Sequence, residues 1–224
     1  MSHILVFTLP SGERLEASIA FAVAAGYTGR DTAHVRQHVE ELATIGVPPP
    51  PHVPMLYPLI PTLVTHSNEI AVLGEHTTPE VEVAVLTIEG QAYITVASDH
   101  TDRQLETVSV TLAKNICPKV VGREVWPVTE VLDHWDKLQL RSVCEGVVLQ
   151  DGTLSELLPY TELMAFVDRI TGIRERRIVF GGTIPTRAHP PRGEVEVLLE
   201  LHDPVWNRSI RHTYHVRVLH DFFS

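Results

Sequence analysis

The sequence predicts an α+β, β-rich chain with a small N-terminal α/β piece, and three observations carry that expectation. Beyond residue 51, most segments alternate or run apolar over short stretches between turn-forming residues, the signature of strands. Helical spacing is confined to a few places. The run Pro48-Pro49-Pro50-Pro51, which cannot be helical and favours an extended connector, separates a helix-bearing opening from the rest. With 224 residues the chain can bury one sizeable core, or one main domain with an appendage, but hardly two full-sized domains. The expected division is a small domain over residues 1–50 and a main domain over residues 51–224.

In order along the chain, residues 4–8 read as a strand, Pro10-Ser11-Gly12 as a turn, and a second short strand follows. A helix over residues 32–45 carries Val35, Val39, Leu42 and Ala43 at helical spacing, and Gly46 suits its stop. Strands are expected over 80–88, 92–98, 138–144, 177–180, 194–201 and 210–219. Helices are expected over 128–136 and 154–170, the second shortened or kinked by Pro159.

Lys and Arg number 18 against 28 Asp and Glu, a net charge of −10 with no basic block, so nucleic-acid binding is not expected. No apolar run is long enough for a membrane span, and the opening lacks the form of a signal peptide, which together predict a soluble, cytoplasmic protein. Cys117 and Cys144 are the only cysteines and lie in different kinds of segment, so both are expected to be reduced and structural.

The stretch Glu80-Val81-Glu82-Val83-Ala84-Val85-Leu86-Thr87-Ile88 is too apolar for a solvent-edge strand, yet it opens on two glutamates that alternation places on one face. After a turn at Glu89-Gly90-Gln91 the chain returns and ends at Asp99. If Glu89 and Gly90 form the loop, Asp99 lies opposite Glu80. If Gly90 and Gln91 do, it faces Glu82. Either register puts Asp99 on the shared face, with opposed Cβ atoms roughly 4.5 to 5.5 Å apart. Three carboxylates so close on apolar strands need partial protonation or a cation, unless they are solvated at an exposed strand end. Oxygen-only ligands suit magnesium, manganese or calcium.

These residues, followed by Tyr93-Ile94-Thr95-Val96-Ala97-Ser98-Asp99-His100-Thr101-Asp102-Arg103, resemble the acidic-strand pattern of the fumarylacetoacetate hydrolase superfamily. Three further blocks agree in order. Thr111-Leu112-Ala113-Lys114-Asn115 is similar to the family's lysine segment, and Gly181-Gly182-Thr183-Ile184-Pro185-Thr186 to its Thr-Gly-Thr-Pro loop. Residues 26–41, with His38 and Glu41, loosely resemble its Asn-Tyr-x-x-His-x-x-Glu element. The chain departs from the pattern in a short hairpin, in Ser98 where Asn is common, in Glu106 where some members have Gln, and in Ile184 ahead of Pro185. It therefore reads as a divergent branch whose substrate cannot be copied across.

The resemblance implies a mixed β-sandwich roll, a homodimer, and magnesium or manganese held by Glu80, Glu82 and Asp99. His38 and Glu41, three apart on one helix face, could form a water-activating pair, or an ordinary surface pair. Lys114, among apolar neighbours, could offer a partly desolvated ammonium to a substrate oxyanion, or simply snorkel. Arg103 could pair with site carboxylates or with substrate, Glu106 is a further substrate-binding candidate, and Thr183 and Gly182 could donate to a substrate carboxylate. The expected activity is hydrolytic cleavage of a carbon–carbon bond in an acylpyruvate or related 2-oxo or 1,3-dicarbonyl acid. Decarboxylation, hydration or tautomerisation on the same site is the alternative, and a β-rich binding protein with a structural cation the non-enzymatic one.

Overall fold

A computed structural model describes residues 3–220 and 222. The chain opens with the antiparallel hairpin β1 (His3–Thr8) and β2 (Arg14–Ile19), then β3 (Phe21–Gly26) and α1 (Thr32–Thr44). Asp31 caps α1 by accepting from the Ala33 and His34 backbone N–H groups, and Gly46 at φ 93° follows the stop, where the sequence places it. Then come β4 (Met55–Leu59), β5 (Val64–Thr65), β6 (Glu69–Leu73), β7 (Thr77–Thr78), the long hairpin β8 (Val81–Ile88) and β9 (Gln91–Ser98), and β10 (Thr101–Asp102). After α2 (Val110–Asn115) follow β11 (Lys119–Val121), β12 (Trp126–Pro127), α3 (Val128–Val131), β13 (Gln139–Cys144), β14 (Val147–Thr153) and α4 (Tyr160–Thr171). The chain closes with β15 (Arg177–Thr183), β16 (Val195–Asp203) and β17 (Arg208–Leu219).

The main sheet runs β4-β3-β15-β8-β9-β11-β5, with β12 also on β9, and a second sheet runs β14-β13-β16-β17-β6. Alternation on β8 explains why it is apolar throughout. Val81, Val83 and Val85 join Leu140, Leu199 and Tyr214 in the core between the sheets, while Ala84 and Leu86 face the other way and meet Phe7 and Ile19 of the first hairpin. Burying each large side chain such as Phe7 or Leu86 contributes roughly 1.5–3 kcal/mol, so the hairpin is firmly seated on that face.

The expected division at residue 50 runs through this sheet. β3 pairs with β15 on one side and with β4, beyond the proline run, on the other. The prolines therefore connect neighbouring strands rather than separate packing units. Pro159 breaks the expected helix over 154–170 into a single 3-10 turn and α4, and the stretch expected as a helix over 128–136 continues from α3 as a 3-10 helix. β3, β4, β6 and β14 were not expected from the pattern. Both cysteines are free and buried, and burial pushes each thiol up to about 11. Among the described residues no helix is long and apolar enough to cross a membrane.

Burial opposes the charged form of three histidines, fully buried His100, brought down to about 3, and His66 and His212. His66 lies edge-on to Phe7 with Nδ1 3.1 Å from the Val121 carbonyl, and His212 Nε2 lies 3.2 Å from the Ser67 carbonyl. Burial lowers both pKa values below the usual histidine value. The unfolded chain therefore binds more protons as pH falls below about 6.5, so stability is lost on acidification. Melting temperature is expected to fall between pH 7.5 and 5, less steeply in His66→Gln. An unchanged slope in that variant would count against the histidine as a contributor.

Candidate active site

The β8–β9 hairpin sets the site. Glu89 and Gly90 both adopt positive φ, 51° and 76°, as a two-residue type I′ loop requires, and this selects the first of the two expected registers. Val81 pairs with Ser98, and one step further the Asp99 N–H donates to the Glu80 carbonyl at 3.0 Å. Glu80, Glu82 and Asp99 thus share one face, and one oxygen of each lies within 4.8 Å of the others. Glu82 and Asp99 are buried, and Glu80 is nearly so.

Each carboxylate is held differently. The pairing of β15 with β8 is irregular between Phe180 and Thr183, and there the Gly182 N–H turns to donate to Glu82 Oε2 at 2.8 Å. Only glycine fits this place: φ is 98°, and a Cβ would lie 1.9 Å from Thr28 Oγ1. Burial, then the neighbouring Asp99 charge, pushes the Glu82 carboxyl well above the usual range. Glu80 lies 2.9 Å from Arg103 Nη2 and 3.4 Å from Lys114 Nζ, and although burial opposes its charge, these cations hold its pKa low. Asp99, fully buried, meets Lys114 Nζ at 2.5 Å and Lys119 Nζ at 2.9 Å. Against the cost of burial the two ammonium groups bring its pKa down to about 2. Lys119 also donates to the His100 carbonyl, so its ammonium spans that oxygen and Asp99 Oδ1.

The rim comes from other elements. Arg103 bridges Glu80 to Glu106, 3.0 Å from its Nη1, and its Nε donates to Thr78. The Lys114 ammonium lies 5.9 Å from the Tyr57 ring centroid, and the phenols of Tyr57 and Tyr27 are both raised, first by burial. The ring of Tyr27 lies 6.4 Å from that of His38 on α1.

Lys114, Arg103 and Glu106 therefore join the three carboxylates. His38 and Glu41 stand further out: their ring nitrogen and carboxylate are 3.8 Å apart and both side chains are more than half exposed, because α1 buries only Val35 fully. Thr183 and Gly182 reach the site, but as scaffold. The Thr183 hydroxyl donates to the Val81 carbonyl at 2.8 Å and accepts from Gln150, and the Gly182 N–H is taken by Glu82. Sequence reasoning missed Lys119, Tyr57 and Tyr27. For Lys119 a signal existed: alternation with buried Val121 points it inward from an apolar run. Tyr57 sat in a segment whose Pro58 argued against a strand, and β4 is indeed the edge strand where proline is tolerated.

A family model described as "Protein of unknown function (DUF2848)" matches residues 25–214, and the chain belongs to that family. A search of curated proteins gives no significant match. Among solved structures the chain is similar to fumarylpyruvate hydrolase from Pseudomonas aeruginosa, solved in complex with Mn2+ and pyruvate. The TM-score is 0.69 at 15% identity, covering 97% of each chain. A yeast fumarylacetoacetate hydrolase family protein superposes with a TM-score of 0.67 at 12% identity, covering 89% of this chain and 94% of that one. For 2-hydroxyhepta-2,4-diene-1,7-dioate isomerase from Mycobacterium marinum the values are 0.63 and 16%, covering 99% and 100%. The fold is that of the fumarylacetoacetate hydrolase proteins, as the motifs imply.

Proposed function

We propose that this protein is a divalent-metal-dependent hydrolase, acting as a homodimer, that cleaves a carbon–carbon bond in an acylpyruvate or related 2-oxo or 1,3-dicarbonyl acid. The observation that carries this is the triad Glu80, Glu82 and Asp99, with one oxygen of each converging to within 4.8 Å of the others. The donor set fits magnesium or manganese, hard cations that take oxygen ligands. A Glu82 carboxyl pushed well up is also what a cation would replace a proton on. The likeness in fold to a fumarylpyruvate hydrolase holding Mn2+ and pyruvate supports the same reading.

A cation bound there would polarise the substrate carbonyl and stabilise the negative charge formed on cleavage. Lys114 contributes a fixed charge. Burial opposes its ammonium, but Asp99, Glu80 and Glu82 more than offset this and raise its pKa, so it stabilises an oxyanion rather than taking a proton. Arg103 fixes the position of Glu80 and Glu106. His38, backed by Glu41, is the base for water, reached across Tyr27 at the rim.

Likeness to an isomerase of the same fold favours a second reading, tautomerisation or decarboxylation on the same site, which does not need the His38 base. A Mn2+-supplemented activity screen over acylpyruvates, β-diketo acids and oxaloacetate separates them. Chelator-sensitive acylpyruvate cleavage, lost in His38→Ala, is the expected result. Retained turnover in that variant favours the second reading. Tight metal binding with no turnover of any acid would refute both.

A further inference from the structure

We propose, resting on the metal-enzyme reading above, that the substrate carries a single carboxylate and turns an uncharged, hydrogen-bonding far end toward Tyr27, Tyr57 and Glu106. Dicarboxylic 2-oxo acids would then be selected against.

A second carboxylate in an enclosed site needs a cation of its own, usually an arginine fork. Here the cations are already committed. Arg103 places one Nη on Glu80 and the other on Glu106, and its Nε on Thr78. Lys114 is shared by Asp99 and Glu80. Lys119 is wholly buried behind Asp99, with the His100 carbonyl as its second partner. Among the described residues no further lysine or arginine contacts Tyr57 or Glu106.

Charge balance points the same way. Four carboxylates, Glu106 included, face three side-chain cations, so a divalent ion leaves one positive charge over. One substrate carboxylate neutralises it. A second would be uncompensated, and a buried unpaired charge is costly.

The flank where the far end would lie is itself acidic and phenolic. The Glu106 side chain is 13% exposed beside Arg103, and its charge reaches both tyrosines. A carboxylate there would oppose Glu106, whereas a hydroxyl could donate to it and accept from a phenol. Tyr27 is fixed in place by a left-handed backbone, φ 57°, a conformation bulky residues rarely adopt. Among the described residues the aromatic partner of its ring is His38, itself 3.8 Å from Glu41.

The test is titration calorimetry on the Mn2+-loaded full chain with two probes of equal carbon count, 2-oxopentanoate and 2-oxoglutarate. The monocarboxylate is expected to bind about tenfold tighter or more, and Glu106→Gln to shrink that ratio by strengthening 2-oxoglutarate. Equal or tighter binding of 2-oxoglutarate by the native chain overturns the inference, as does an unchanged ratio in Glu106→Gln. Mn2+ is titrated first, alone. Failure of Mn2+ to bind, or of both acids to bind once it has, overturns the metal-enzyme reading and this inference with it. Mn2+ binding with a reversed acid preference sinks only the inference.

Discussion

Glu82→Gln is expected to lower Mn2+-dependent turnover by about a thousandfold or more, since Lewis-acid stabilisation is worth several kcal/mol, while leaving the melting temperature within a few degrees of the parent. The reason lies in how Glu82 is held. Its one hydrogen bond is from the Gly182 N–H, and an amide oxygen accepts that bond as well as a carboxylate does. Burial and the Asp99 charge push this carboxyl well up and so oppose its ionised form, and the amide matches it in shape without carrying that charge. What the amide lacks is the charge that attracts a divalent ion. Calorimetric Mn2+ titration beside a thermal melt reads both halves, and native Mn2+ affinity in the variant would remove Glu82 from the ligand set.

Asp99→Ala gives the opposite pattern in stability. Removing Asp99 deprives Lys114 and fully buried Lys119 of their shared counter-ion. Breaking a buried pair from one side costs about 3–5 kcal/mol, which for a chain of this length lowers the melting temperature by roughly 6–20 °C. The cost comes from the stranded ammonium, so Asp99→Ala with Lys119→Met should recover a substantial part of it, an apolar side chain being tolerated there. Equal destabilisation in the single and double variants would show that Lys119 is not the stranded charge. Asp99 therefore answers for folding as well as for the proposed chemistry, so the melting temperature of Asp99→Ala is measured beside its activity.

The contrast explains what could be read from the chain. Strand alternation and a two-residue turn are local, so the Glu80, Glu82 and Asp99 face followed from a single hairpin, and the turn geometry of Glu89 and Gly90 then chose between its registers. Helix α1 was legible for the same reason, with its apolar spacing and its Gly46 stop lying within one segment. The pairing of Arg103 with a site carboxylate was expected, but Lys119, Tyr57 and the Arg103 contacts to Thr78 and Glu106 were not, because each owes its place to tertiary packing. Lys119 enters through β11, pressed on β9 and β5; Tyr57 sits on an edge strand disguised by Pro58; Arg103 is aimed by contacts to Thr78 and Glu106. The engagement of Thr183 and Gly182 within the scaffold depended on an irregularity between strands far apart in sequence, which no local pattern encodes.

The hairpin loop has a consequence well beyond its two residues. Eight-residue strands at about 3.3 Å per residue put Glu89 and Gly90 some 25 Å from the carboxylates, yet the turn formed there helps decide which residue stands across from Glu80. The loop works as a ruler whose zero mark is at one end of the molecule and whose reading is taken at the other. A change at this exposed tip, ordinarily the most forgiving place in a protein, that slipped the pairing by one residue would break up the carboxylate cluster without altering any of its side chains.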